Sequence, residues 1–361
     1  MNPSRLRIAS PSDFIEVMPF LLGHTPENAV VLHGIVDSGV SGPTMTAPLP
    51  DDPTNWRVVA EALAPEFLAS TRDRGHDLLD VVVCLYRAPQ PGHGPEATAQ
   101  LLGHMADWMV DAFTELGDAP VKITLGIVGD KWWDYTCHWL GCCEGEPLPA
   151  GDHPESITAQ LHALGYTPGR PSSEISAEFR PTDTDTARHR QAIEQAGESL
   201  ARDASTPRGQ LLARQGTLTL INTALQDLRT GKPIPDETAA RITLGVNDNR
   251  ARDRALSHGP DENLPYERHL WATLARRCLP PYSVLAPALL TLFAWVTWRQ
   301  GDTVTARHAL REALEIDRSY TLAQLLHTAI NEGRPADGFL NICRTAVREQ
   351  EADDEAALRD H

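Results

Sequence analysis

The chain has 361 residues, 41% of them hydrophobic, a formal net charge of −17 at pH 7 and six cysteines; this length buries substantial cores and favours two domains. The negative charge opposes binding to nucleic-acid backbones and anionic membrane surfaces, and no basic patch offsets it. The opening residues, Met1-Asn2-Pro3-Ser4-Arg5-Leu6-Arg7, lack a signal peptide's apolar core, and no apolar run approaches membrane-spanning length, so cytoplasmic residence with reduced cysteines is expected.

The first helix is predicted to start at Ser10, with Pro11 at its first position and Asp13 near its exposed amides, and to end at Gly23. A buried strand follows over Val30 to Val36, then a helix over Trp56 to Ser70 with Val59, Leu63 and Phe67 on one face. Leu78 to Tyr86 is a second apolar strand, Ala97 to Leu116 a helix and Val121 to Val128 a third strand. This alternation predicts a three-layer α/β domain over residues 1–150 with a mainly parallel or mixed sheet.

From 151 to 205 the texture loosens around Pro168, Pro171 and Pro181, which predicts a linker with one short helix near Ile157 to Leu164. Helical patterns then dominate, giving an all-α domain over 206–350 and an acidic tail over 351–361. Pro287 to Tyr320 carries Leu290, Phe293 and Ala294, a turn at Gly301, then Ala306, Leu310, Ala313 and Asp317, the spacing of one tetratricopeptide-like hairpin. One clear unit is fewer than a free-standing solenoid needs, so a helical bundle with one repeat-like hairpin is an equal reading.

The least random segment lies between Lys131 and Pro147, which holds three of the six cysteines and three of the eight tryptophans. Three readings stay open. Cys137, His138, Cys142 and Cys143 carry the ligand chemistry of a zinc site, although their spacing departs from the usual metal knuckle. Trp132, Trp133 and Tyr135 can instead offer aromatic faces to a ligand, or simply pack against the sheet with the cysteines as small apolar residues. His24 and Glu27, in the first helix-to-strand connection, join Lys131 as ligand-binding candidates if their loops converge at the strand ends. No phosphate loop, dinucleotide-binding glycine triad, zinc-protease helix or serine nucleophile elbow occurs, so the catalytic residues are unknown.

Pro19 to Val31, Trp132 to Cys137 followed by Cys142 to Leu148, the pair Arg252-Asp253, and Ala294 to Asp302 occur together and in this order. The combination resembles the actinobacterial domain-of-unknown-function family 4192 over nearly the whole chain. Where that family carries a proline after the paired cysteines, this chain has Glu144. The resemblance implies no activity, cofactor or catalytic residue. The functional expectation is a cytoplasmic binding or regulatory protein whose helical domain engages a protein partner or a second copy of itself, with Trp295 or Trp298 as anchors if exposed. The alternative is a small-molecule enzyme with a pocket at the strand ends, with zinc as its cofactor if the cysteine cluster binds metal.

Overall fold

Ser10 starts the first helix with a reciprocal cap: its hydroxyl accepts from the Asp13 amide at 3.3 Å, and the Asp13 carboxylate accepts from the Ser10 amide at 3.0 Å. Gly23 ends it in the left-handed conformation, φ 71°. The structure, a computed structural model, describes residues 6–36, 40–92, 94–137, 144–181, 186–257 and 261–359. The chain divides into two units, Met1–Ser172 and Ser173–His361.

The first unit runs α1 (Pro11–Leu22), β1 (Ala29–Val36), β2 (Val40–Pro48), α2 (Trp56–Asp73), β3 (Leu78–Arg87), α3 (Pro95–Leu116), β4 (Val121–Val128), β5 (Lys131–Asp134), β6 (Glu146–Pro147) and α4 (Ile157–Ala163). The sheet order is β2-β1-β3-β4-β5-β6. It is mixed: β3 and β4 pair in parallel, while the other neighbours are antiparallel. Successive side chains on a strand point to opposite faces, so each apolar run serves two cores. Val30, Leu32, Val81, Val83 and Leu85 pack with α2 and α3. Val31, Val82, Cys84 and Tyr86 pack with α1 and α4. Helices on both faces make the expected three layers.

The first unit extends past residue 150. Ile157 and Leu161 of α4 join the α1 side of the sheet, and the Glu16 carboxylate accepts from the Thr158 amide at 2.8 Å. Farther on, the Thr25 amide donates to the Arg170 carbonyl at 2.9 Å and the Ser172 amide to the Thr25 carbonyl at 3.1 Å, which stitches the chain back to the turn before β1.

The second unit is helical in every long element described: α5 (Ser172–Ala177), α6 (Thr186–Asp203), α7 (Pro207–Arg229), α8 (Asp236–Gly245), α9 (Asn249–Ser257), α10 (Leu264–Arg276), α11 (Ala286–Arg299), α12 (Thr303–Ile316), α13 (Thr321–Asn331) and α14 (Ala336–Arg359). The stretch 151–205 therefore differs from the expected linker: it carries α4, α5 and α6, divided between the two units. The prolines that gave it a loose texture sit between these helices, and Ile175, Phe179 and Ile193 supply buried anchors.

Every residue of α11 from Ala286 to Trp298 is buried, as befits a helix surrounded by others. Ala306, Ala309 and Ala313 of α12 face it, small residues that let two helices approach closely. The expected acidic tail is also different. α14 continues to Arg359, and Asp354 is 7% exposed.

Candidate functional site

Lys131 opens β5 immediately after a turn in which Gly129 takes φ 63°, and its Nζ lies 2.8 Å from Glu96 Oε1 at the start of α3. His24 and Glu27 precede β1. Because β1 runs antiparallel to β3, with Ala29 opposite Tyr86, these residues lie at the sheet end where β3 and β4 finish and β5 begins. They share an edge with Lys131, but β1 and β5 stand three strand spacings apart, roughly 14 Å. His24 is 5% exposed and its Nδ1 lies 3.3 Å from the Leu22 carbonyl; Glu27 is exposed. At the same end, Arg87 donates to the Pro50 carbonyl at 3.1 Å and stacks 5.8 Å from the Trp56 ring centroid. At this edge Lys131 is thus engaged by Glu96, and Arg87 by the Pro50 carbonyl and the Trp56 ring.

The aromatic candidates are core. Trp132 is 8% exposed and packs on the α1 side of the sheet. Trp133 is 4% exposed and packs on the α2–α3 side. Tyr135 donates from its hydroxyl to the Ala99 carbonyl at 2.6 Å and lies across Gly126, where an added Cβ would meet the ring at 2.6 Å. Gly145, φ +76°, approaches Trp133 as closely. Cys137 is a half-buried free thiol; His138, Cys142 and Cys143 lie outside the described residues. Among the described residues no group of three metal-ligating side chains converges.

The second unit presents a different kind of surface. Tyr266, His269, Thr273 and Arg277 recur at helical spacing along and just past α10, and opposite them the α7–α8 connection runs through Gly231, Lys232, Pro233 and Ile234. Between these elements lies a groove of about 650 Å³. Its floor is apolar, from Leu228, Ile234, Pro265 and the Tyr266 ring. Its polar lining is basic or neutral: Lys232, His269, Thr273 and Arg277, with no acidic side chain.

Two carboxylates stand behind this rim. Lys232 Nζ is 3.8 Å from Asp227 Oδ1 and is largely exposed. Arg277 Nη1 is 3.4 Å from Asp236 Oδ1, and its Nη2 donates to the Ile234 carbonyl at 3.3 Å. Burial holds the Arg277 pKa below the ordinary guanidinium value, against the pull of Asp236. The Arg229 guanidinium lies 5.6 Å from the Tyr266 ring centroid and adds a cation beside the groove. The signal in the sequence was the run Gly231-Lys232-Pro233-Ile234-Pro235, which spends one of only three lysines on a proline-bracketed turn.

Trp295 and Trp298 are 1% and 5% exposed. Trp295 donates from Nε1 to the Leu256 carbonyl at 2.8 Å, and both rings pack against Phe339. They hold helices together and offer no surface to a partner.

The family described as "domain of unknown function (DUF4192)" matches residues 11–336, and the chain belongs to it. No curated protein and no solved structure matches. No helix among the described residues is long and apolar enough to cross a membrane.

Proposed function

We propose that this family member is a recognition protein whose helical unit takes an acidic, apolar-bearing segment of a partner protein into the groove between α10 and the α7–α8 connection. The observation behind this reading is electrostatic. In a chain of net charge −17, this apolar trough is lined by Lys232 and Arg277 and by no carboxylate, with Asp227 and Asp236 set behind these two and Arg229 alongside; its face is thus more positive than the chain as a whole, and local fields of this kind steer partners of the opposite charge. Tyr266 and Arg229 are of the residue types that dominate interface energetics. The hairpin of α11 and α12, turning at Gly301, supports a tetratricopeptide-like unit beside this groove. Cytoplasmic residence and actinobacterial origin belong to the same proposal, the first supported by the lack of a signal-peptide pattern in the opening residues and the second by the heavy use of arginine over lysine.

Fluorescence anisotropy with labelled peptides carrying two leucines or phenylalanines among glutamates tests the reading, with lysine-for-glutamate peptides as controls. Acidic peptides are expected to bind more tightly than basic ones, and Lys232→Glu or Tyr266→Ala to weaken binding about tenfold, near 1.4 kcal/mol. Equal binding of both peptide classes, or indifference to both substitutions, overturns it. Sedimentation of the free chain distinguishes a second copy as the occupant.

A second reading, an enzyme or small-molecule site around His24, Glu27, Lys131, Trp132, Trp133 and Tyr135, is supported by the common sheet edge of the three polar residues. Fragment binding observed by NMR, lost in Lys131→Ala, would favour it.

A further inference from the structure

Arg214 of α7 and Arg250 and Arg254 of α9 converge on one carboxylate near the end of α14. Arg250 Nη1 donates to Asp354 Oδ1 at 2.7 Å, Arg254 Nη2 donates to Oδ2, and Arg214 Nη1 stands 4.0 Å from Oδ1. Arg214 also grips Asp248 through two parallel hydrogen bonds of 2.9 and 3.0 Å. Among the described side chains three guanidinium groups therefore meet two carboxylates, and one positive charge is left over. Arg254 is 6% exposed, and its buried Nε has no hydrogen-bond partner. A buried N–H of a charged group is costly when it lacks an acceptor, and the two oxygens of Asp354 do not supply one.

The fastening of α14 is unusual in the same place. Among the described side chains after Val347, Asp354 is the one that is buried, so from Arg348 to Asp354 the helix is fastened by charge rather than by apolar packing. The family match ends at residue 336. It includes all three arginines, whereas Asp354 lies beyond it.

We propose that the arginine cluster is a binding site for a phosphate group, free or as a phosphomonoester, which the chain closes on itself with Asp354. A phosphate dianion supplies more acceptor oxygens than a carboxylate and balances the surplus charge left beside Asp248. Ligand and the end of α14 compete for the same guanidinium groups, so binding releases the helix end. This site is separate from the proposed peptide groove and does not depend on it.

Thermal melting of the full chain at constant ionic strength tests the site, with inorganic phosphate and O-phosphoserine as separate probes and sulfate-free chloride as control. Asp354→Asn is expected to gain a saturable increase in Tm with either probe, at an apparent affinity at least tenfold tighter than wild type, and Asp354→Asn/Arg254→Gln to lose it. Stabilisation by phosphoserine alone identifies a phosphomonoester as the ligand; stabilisation by both identifies the bare group. A response that is absent in Asp354→Asn, or the same in all three chains, overturns the proposal. Hydrogen exchange of the wild-type chain covers the case in which Asp354→Asn does not fold. Saturating phosphate or O-phosphoserine is expected to reduce protection in the last turns of α14, and protection unchanged by both overturns the proposal equally.

Discussion

Trp132 and Trp133 are consecutive residues that serve opposite cores, one against α1 and α4, the other against α2 and α3. The short strand β5 is thus pinned from both faces, and burying an aromatic ring contributes roughly 2 to 3 kcal/mol. Trp132→Ala and Trp133→Ala are each expected to lower the unfolding free energy by about 3 to 5 kcal/mol in urea denaturation. Cys142→Ser with Cys143→Ser is expected to cost less than about 1 kcal/mol. One zinc per chain by elemental analysis, lost together with stability on chelation, would reverse that ranking.

Gly126 lies beneath Tyr135 so closely that any Cβ collides with the ring and its hydroxyl, at 2.5 Å from the latter. Gly126→Ala is expected to displace the tyrosine, break its bond to the Ala99 carbonyl and destabilise the first unit by about 1 to 3 kcal/mol. Combining it with Tyr135→Ala should recover part of the loss relative to additivity. Strict additivity in the double-mutant cycle would show that the two residues do not share the space.

Two buried titrating groups give the units opposite pH responses. Burial pushes the His33 imidazole down to about 4 from 6.5, so the unfolded chain binds more protons between those values. The contribution of His33 is complete above pH 6.5 and falls away as pH drops towards 4, by on the order of 3 kcal/mol. Glu267, 4% exposed and with Oε1 lacking a hydrogen-bond partner, is pushed up to about 7 from 4.5 by burial. Here the folded chain binds more protons, so stability is lost as pH rises from 4.5 to 7. Glu267→Gln is therefore expected to gain more over wild type at about pH 8 than at about pH 5. A pH-independent difference in urea midpoints would refute the assignment.

Thiol reactivity should separate the cysteines by burial. Cys84 and Cys278 are buried, and burial pushes both thiols up to about 12; three units cut the thiolate fraction roughly 1000-fold. Cys137 is only half-buried. Iodoacetamide footprinting of the native chain should label Cys137 well before Cys84 or Cys278, and comparable rates would contradict the burial of those two.

Much of the first unit was legible because β1, β3 and β4 are nearly continuous apolar runs, α1 carries its cap in plain sequence and the longer helices have one-sided apolar faces. β2 was not. Val40-Ser41-Gly42-Pro43-Thr44 has the composition of a loop, and it forms a strand because an edge position tolerates proline and leans on its neighbour's register. β5 escaped for another reason: four residues are too few to show a period, and their order comes from the turn at Gly129 and the cores on either side. The sheet-edge candidates shared the predicted end of the sheet without meeting, since loop positions encode strand order only loosely. The groove left one local trace, the proline-bracketed Lys232, but was not legible as a groove, because its walls come from segments some thirty residues apart and acquire meaning only when α10 packs beside the end of α7. Asp354 shows the same limit: an acidic run reads as solvated until the arginines that receive it are brought near.

Both borders of the six-stranded sheet carry prolines, Pro43 and Pro48 in β2 and Pro147 in β6. A proline has no amide hydrogen to offer a neighbouring chain, and a two-residue border strand offers little else. The sheet is therefore capped against lateral growth, which disfavours fibril-like stacking of exposed edges and domain exchange through strand addition. If two copies of this chain do associate, helical surfaces are the route that remains.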